Sequence, residues 1–228
     1  MIKRLLLIFS LVPFYSLIIF AQQDSLNGIK YTPDFHFKEG VYLNFNQAQM
    51  DSPIPKSKIL TTTDYTDKDF FTKVMAESTI SFYNSMGDKV DVEVKNVWGY
   101  SRNGSIYINL QGSFQRITII GRICHFVANI TTYDNVYYDP YYYRYYNSYY
   151  YTPRSNSVTS NELRQFILDF DTGKLYEYTV SNLEVLLMKD PELFDEYNEL
   201  RNKKKKQLKF VYIRKFNERN PLYINSNN

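Results

Sequence analysis

The sequence predicts an α+β protein: an antiparallel, curled β-sheet built as a meander of hairpins, followed by C-terminal helices. Three observations carry that prediction. From Thr79 to Thr179 apolar residues recur at every second position, in runs punctuated by glycine-bearing turns. Past Thr179 the period becomes helical, and Asp190-Pro191 is the pair that opens a helix. With 228 residues and 18% aromatic content, the chain has the length and apolar content to bury a sizeable core.

The N-terminus reads MIKRLLLIFSLVPFYSLIIFAQQ, in which Lys3 and Arg4 precede an apolar stretch from Leu5 to Phe20 and Ala21 stands before two glutamines. These are the parts of a secretory signal, so residues 1–21 are expected to be a signal peptide cleaved after Ala21. The alternative is a retained N-terminal membrane anchor, against which Pro13 and two serines weigh. Lipid attachment needs a cysteine at the cleavage point, and the single cysteine is Cys124. The expected location is therefore periplasmic or secreted, and not that of a lipoprotein. A lone cysteine closes no intramolecular disulfide, and Cys124 is expected to be a small core hydrophobe.

Residues 22–180 are expected to form the β domain, loose up to about Tyr31. GVYLNFN, with Val41, Leu43 and Phe45 alternating, reads as a strand, and DSPIPKSK as an extended linker held by its two prolines. Asp67 is placed to cap a short helix through DKDFFTKVMAE. Two strands flank a turn at Gly87, with Val90, Val92 and Val94 on one face, and further turns fall at Asn103-Gly104 and Gly112. A long strand is expected from Phe114 to about Ile130, with Ile117, Ile119, Ile123 and His125 on one face and Gly121 as a bulge or close-packing point. Leu163–Phe170 and Lys174–Thr179 form a hairpin around Asp171-Thr172-Gly173.

The C-terminal helical segment is expected at 181–221. Ser181 with Glu184 reads as a capping box, and Asp190-Pro191 restarts the helix. Helical spacing then runs on, interrupted by the lysines at 203–206, until Pro221 ends it.

Charge narrows the functional classes. Removal of Lys3 and Arg4 leaves 25 basic residues against 24 acidic ones, too even a balance to imply nucleic acid. The charge is polarised along the chain. Nine basic residues between Arg201 and Arg219 accompany one acid, Glu218, whereas six acids between Glu184 and Glu199 accompany Lys189 alone. Lys203, Lys204, Lys205 and Lys206 therefore stand as a candidate basic surface for anionic lipid or glycan, against the plainer reading of a solvated helix face.

The second candidate surface is the tract from Asp134 to Ser155, with ten tyrosines in 22 positions: Tyr137, Tyr138, Tyr141, Tyr142, Tyr143, Tyr145, Tyr146, Tyr149, Tyr150 and Tyr151. Exposed tyrosine suits stacking and adhesion, but the tract keeps neither strand nor helix period and reads first as a long loop, 134–155.

Catalytic and metal patterns are weak. The DFDTG at 169–173 contains the aspartic-protease triplet, yet Lys174 follows and the flanks alternate as an ordinary hairpin. His36, Cys124 and His125 show no metal-ligand spacing, and adjacent Cys124 and His125 point to opposite faces of a strand. Asp64, Asp67 and Asp69 lack the glycine and glutamate of a calcium loop and fit helix capping better. No cofactor and no catalytic or metal-binding residue is assigned.

The segments FHFKEGVYLNFNQAQMDSPIP, VWGYSRNGSIYINL, FQRITIIGRICHFV and FILDFDTGKLYEYTVSNLEVLLMKDPELFDEYNEL, with FVYIRKFNERNPLY after them, together resemble an uncharacterised family of exported Bacteroidota-type envelope proteins. The resemblance implies an envelope address and no assigned activity. The expectation is thus a non-enzymatic interaction or structural module of the cell envelope, its partner an envelope glycan, an anionic lipid surface or another envelope protein. The alternatives are a hydrolase of envelope glycans or peptides using carboxylates such as Asp169 or Asp171, and a membrane-surface module using the basic helix.

Overall fold

The structure is a computed structural model that describes residues 28–135 and 157–225. Its first half runs β1 (Ile29–Lys30), β2 (Gly40–Tyr42), α1 (Phe45–Gln49), β3 (Ile54–Pro55), β4 (Ile59–Leu60), α2 (Phe70–Val74), β5 (Thr79–Tyr83) and β6 (Lys89–Glu93). A meander follows in β7 (Gly99–Arg102), β8 (Ser105–Leu110), β9 (Ser113–Ile119), β10 (Ile123–Asn135), β11 (Ser157–Asp169) and β12 (Lys174–Glu177). The chain ends in α3 (Val180–Leu187), α4 (Pro191–Asn198), α5 (Asn202–Arg219) and β13 (Tyr223–Ile224). The predicted α+β class holds.

Eight strands form one open antiparallel sheet in the order β12-β11-β10-β9-β8-β7-β2-β3. Its tight turns come from residues that accept left-handed backbone: Asn103 and Gly104 have φ of 51° and 69° between β7 and β8. The sheet curls strongly. Helix α1, which follows the seventh strand in that order, meets the β11–β12 turn at the other edge. Phe45 lies 5.4 Å from Phe170, and Gln49 Nε2 donates to the carbonyls of Phe170 and Asp171 at 2.9 and 3.0 Å.

Three apolar clusters follow from this shape. Inside the curl, Tyr42, Ile106, Ile117, Cys124, Phe126, Phe166 and Leu168 pack together and are closed off by Leu222 and Ile224 from the C-terminus. At one end, β4, β5 and β6 form a small sheet that packs with α2 through Ile59, Phe70, Phe71, Ile80 and Phe82. On the outer face, Ile123 and Ile167 meet Leu183, Leu187, Leu193, Tyr197, Ile213 and Phe216 of the three C-terminal helices.

Several local expectations change. GVYLNFN is a strand only to Tyr42, because Asn44 accepts from Gln47 N–H at 3.0 Å and caps α1. The DSPIPKSK linker holds an edge strand, Ile54–Pro55 paired with Gly40–Val41, a place where proline's missing donor costs little. Asp67 does not cap α2: it accepts from Asp69 N–H at 2.7 Å and pairs with Lys73, and the helix begins at Phe70. The segment before Tyr31 is not wholly loose, since β1 pairs with β13.

The long strand from Phe114 to Ile130 is instead two antiparallel strands, β9 and β10. Gly121 sits in their connection, where a Cβ would come within 2.3 Å of the Asn217 amide on α5. The bulge lies earlier, at Thr118: His125 faces Ile119 but Phe126 faces Ile117, so one residue of β9 is unpaired. That extra residue puts Ile117 inside the curl and Ile119 against the outer helices.

Ser181 does not cap α3. Thr179 does, with its hydroxyl accepting from Asn182 N–H at 3.1 Å, while Glu184 is turned toward Lys205. Asp190 caps α4 as expected, accepting from Leu193 N–H at 3.2 Å with Pro191 in the first turn. The helix breaks at 199–201, ahead of the lysines, which lie within α5.

Candidate functional site

The candidate site arises where two strands of unequal length part company. β11 runs for 13 residues and β12 for four, and β12 is the edge of the sheet. Beyond Glu177 the last rung is Tyr178 N–H to the Gln165 carbonyl at 2.9 Å. Thr179 then caps α3 and takes the chain away, leaving a notch beside β11 at Leu163.

Helix α5 crosses this notch on the outer face of the sheet. His125 on β10, 3% exposed, is enclosed by the rings of Tyr178 and Phe210 at centroid distances of 4.9 and 4.6 Å, and its Nε2 lies 3.2 Å from Gln165 Oε1. Lys209 Nζ sits 3.7 Å from the Tyr178 ring centre and donates to the Tyr178 carbonyl at 2.6 Å. The result is an open groove of about 450 Å³. β11 supplies Leu163, Arg164 and Gln165, the end of β12 supplies Glu177, the chain just after it supplies Tyr178 and Thr179, and α5 supplies Lys206, Lys209 and Phe210.

The electrostatics are cationic on the helix side. Burial pulls the Lys209 ammonium below its ordinary pKa, and the neighbouring Lys206 charge adds to the effect. Neither lysine has a carboxylate partner among the described residues. On the other rim Arg164 is already satisfied, bonding Glu162 at 2.9 Å and Glu177 at 3.1 Å. Burial lowers the His125 pKa and favours the neutral ring. The Tyr178 hydroxyl is buried and has no hydrogen-bond partner among the described residues.

The residues singled out in sequence are placed as follows. The tyrosines from Tyr137 to Tyr151 lie outside the described residues. Lys203, Lys204 and Lys206 are exposed, but Lys205 is not part of that surface. Its ammonium is buried, bonding Glu184 at 2.7 Å and Asn198 at 2.9 Å, because the break before α5 turns position 205 toward α3 and α4. Lys215 with Glu196 and Arg219 with Asp190 and Glu192 add more exposed pairs, so Glu184, Asp190, Glu192 and Glu196 neutralise one side of α5.

The carboxylates of DFDTG are turn groups. Asp169 accepts from Thr172 Oγ1 at 2.8 Å and Lys189 Nζ at 2.7 Å. Burial works to raise the Asp171 carboxyl, but the Arg122 fork and Lys189 outweigh it and hold its pKa low. Cys124 packs in the curl and donates to the Gly121 carbonyl, with burial pushing its thiol up to about 12. His125 lies on the opposite face of β10, packed with the outer helices. Asp64 accepts from Thr66, Asp67 from Asp69, and Asp69 pairs with Arg102.

Sequence reading passed over Gln165, Tyr178, Lys209 and Phe210. A usable signal was the spacing of Lys206, Lys209 and Phe210, which places two cations and a ring on one helix face. Comparison of the chain with protein-family models, with curated proteins and with solved structures finds no match.

Proposed function

We propose that this is an exported cell-envelope protein acting as a non-enzymatic interaction module, and that its binding site is the groove between β11, β12 and α5. The single observation that carries this reading is the pairing pattern of charge around α5. Lys205, Lys215 and Arg219 pair with the acids of α3 and α4, while Lys206 and Lys209 line the groove without an ion pair among the described residues, Glu177 on the opposite rim being held by Arg164. Two cations beside the rings of Tyr178 and Phe210 suit recognition of an anionic partner. The predicted signal segment, and the resemblance to exported proteins, support the envelope address.

The hydrolase reading needs a pair of carboxylates free to act as acid and base, whereas Asp169 and Asp171 are held by Lys189, Arg122 and Thr172. The membrane-surface reading has one observation in its favour. Phe210 and Val211 are 38% and 44% exposed on the same helix as Lys203, Lys204 and Arg214.

Binding of the full-length protein to isolated cell envelopes tests the proposal. Charge reversal at Lys206 and Lys209 is expected to weaken binding at least ~10-fold, about the worth of one lost charge-assisted bond. Charge reversal at Lys203 and Lys204 is expected to leave it within about twofold. The opposite pattern, together with binding to anionic liposomes, would move the site to the outer face of α5.

A further inference from the structure

We infer that the groove takes an acidic peptide in extended conformation, added as a strand along the open edge of β11 in line with β12, with its carboxylates on Lys206 and Lys209. The inference rests on the groove being the binding site and names the class of ligand it takes.

The edge of β11 can be read residue by residue. In an antiparallel strand the N–H and C=O of one residue point to the same side, and successive residues alternate sides. Gln165 accepts from Tyr178 N–H, and the Asp169 carbonyl accepts from Gly173 N–H, so odd-numbered residues of β11 point toward β12. Phe170 N–H donates to the Arg122 carbonyl on the other side, which fits the same alternation. Leu163 and Asn161 therefore direct backbone donors and acceptors at the notch, past the last rung of β12. Those groups have no backbone partner among the described residues. Unpaired strand edges of this kind are templates for another strand.

The side-chain environment then specifies the incoming strand. Leu163, 73% exposed, and Gln165 line the groove together with α5. Side chains on one face of an added strand recur about every 6.8 Å, and Lys206 and Lys209, three apart on a helix, have Cβ atoms about 5–6 Å apart. Alternate acidic residues on that strand can therefore meet the two ammonium groups in turn. An acid there relieves the Lys206–Lys209 repulsion that helps to depress the Lys209 pKa. Phe210, 38% exposed and packed 4.8 Å from the buried Tyr178 ring, offers an aromatic surface beside the two lysines. A polyanionic glycan could use the two cations but has no strand of amides to match the open donors and acceptors, which is why a peptide is favoured.

Fluorescence anisotropy with the full-length protein and a labelled peptide of alternating glutamate and valine tests this. Binding is expected, and two N-methylated versions separate strand addition from charge attraction. Methylating the alternate amides that face β11 should weaken binding at least ~10-fold, whereas methylating the other set should change it by less than about threefold. Lys206→Gln with Lys209→Gln should cost at least ~10-fold. Leu163→Pro removes only an edge-facing N–H, a change tolerated on edge strands, and should cost a similar factor with the melting curve retained.

Equal binding by both methylated peptides would overturn the inference. If dextran sulfate then binds and the Lys206/Lys209 variant loses it, the groove remains the site and only the ligand class is wrong. Failure of both probes, with envelope binding unaffected by Lys206 and Lys209, removes the groove reading as well. Concentration-dependent dimerisation that Leu163→Pro abolishes would place a second copy of this chain on the edge and overturn the peptide assignment. Should Leu163→Pro not fold, the paired methylated peptides still decide the matter.

Discussion

Four consecutive lysines are chemically alike, yet the structure makes one of them different, and Lys205→Ala tests that directly. Its ammonium bonds Glu184 Oε1 at 2.7 Å and Asn198 Oδ1 at 2.9 Å and lies 5.6 Å from the Tyr197 ring centre. The two charged side chains are 10% and 24% exposed. Removing one partner of a fully buried pair costs about 3–5 kcal/mol. Here Glu184 keeps partial access to water and can rehydrate, which reduces the expected loss to about 2 kcal/mol. At about 2–4 °C per kcal/mol for a chain of this size, the melting temperature should fall by about 4–8 °C. Ala at 203, 204 or 206 should stay within about 0.5 kcal/mol of the parent. Lys205→Met keeps the aliphatic stem, so it should recover part of the loss and isolate the polar share. Thermal unfolding followed by circular dichroism reads the five variants against the parent. Four indistinguishable alanine variants would refute the packing of α5 on α3 and α4.

Other substitutions test the remaining contacts. Asn217 accepts from Ile123 N–H and donates to the Ile123 carbonyl, both at 2.9 Å, so Asn217→Ala orphans two backbone groups at a buried residue and should cost about 2–3 kcal/mol in urea unfolding; a loss under about 0.5 kcal/mol would mean the two are not engaged. Tyr178→Phe deletes a buried hydroxyl without a partner among the described residues and should be neutral or stabilising by about 1 kcal/mol, so a clear loss would reveal a partner for it. His125 carries a pKa lowered by burial, hence the unfolded chain binds its proton more readily. Its contribution to stability should be complete above about pH 6.5, the ordinary histidine value, and decline as pH falls through the lowered folded value. Urea midpoints measured between neutral and mildly acid pH should show this slope, and His125→Gln should flatten it; an unchanged slope would sink the argument.

The hairpins were legible because their information is local. A turn such as Asn103-Gly104 needs two residues that accept positive φ, and period-two alternation on either side states the pairing. Legibility failed wherever a local group competed with the periodic pattern. Leu43 and Phe45 continue the alternation of Val41, but Asn44 between them prefers to cap a helix, and the cap wins. Ile117 and Ile119 also keep period two, yet the unpaired Thr118 sends them to different cores, which only the partner strand's register reveals. Thr179 and Ser181 are equivalent caps in sequence, and Thr179 prevails because Glu184, the second half of the Ser181 box, has a buried lysine to meet.

The groove was hidden for the same reason at larger scale. It is made by a difference in length between two strands that share one turn, and each length has its own cause. β12 stops when Thr179 opens α3, whose Leu183, Leu186 and Leu187 are drawn onto Ile123 and Ile167. β11 continues because β10 accompanies it for all 13 residues on the other side. Sheets usually blunt an open edge with charge, and Glu162, Arg164 and Glu177 provide some here, but on one rim they are bonded to one another. On the other rim stand two lysines and a phenylalanine from a helix distant in sequence. An edge without a backbone partner among the described residues, beside two lysines that repel each other until an acid arrives, is destabilising in the free protein. Its occupation should therefore raise the stability of the whole fold by mass action, and protection from thermal unfolding by the acidic peptide, absent in the Lys206→Gln/Lys209→Gln variant, is the sign to look for.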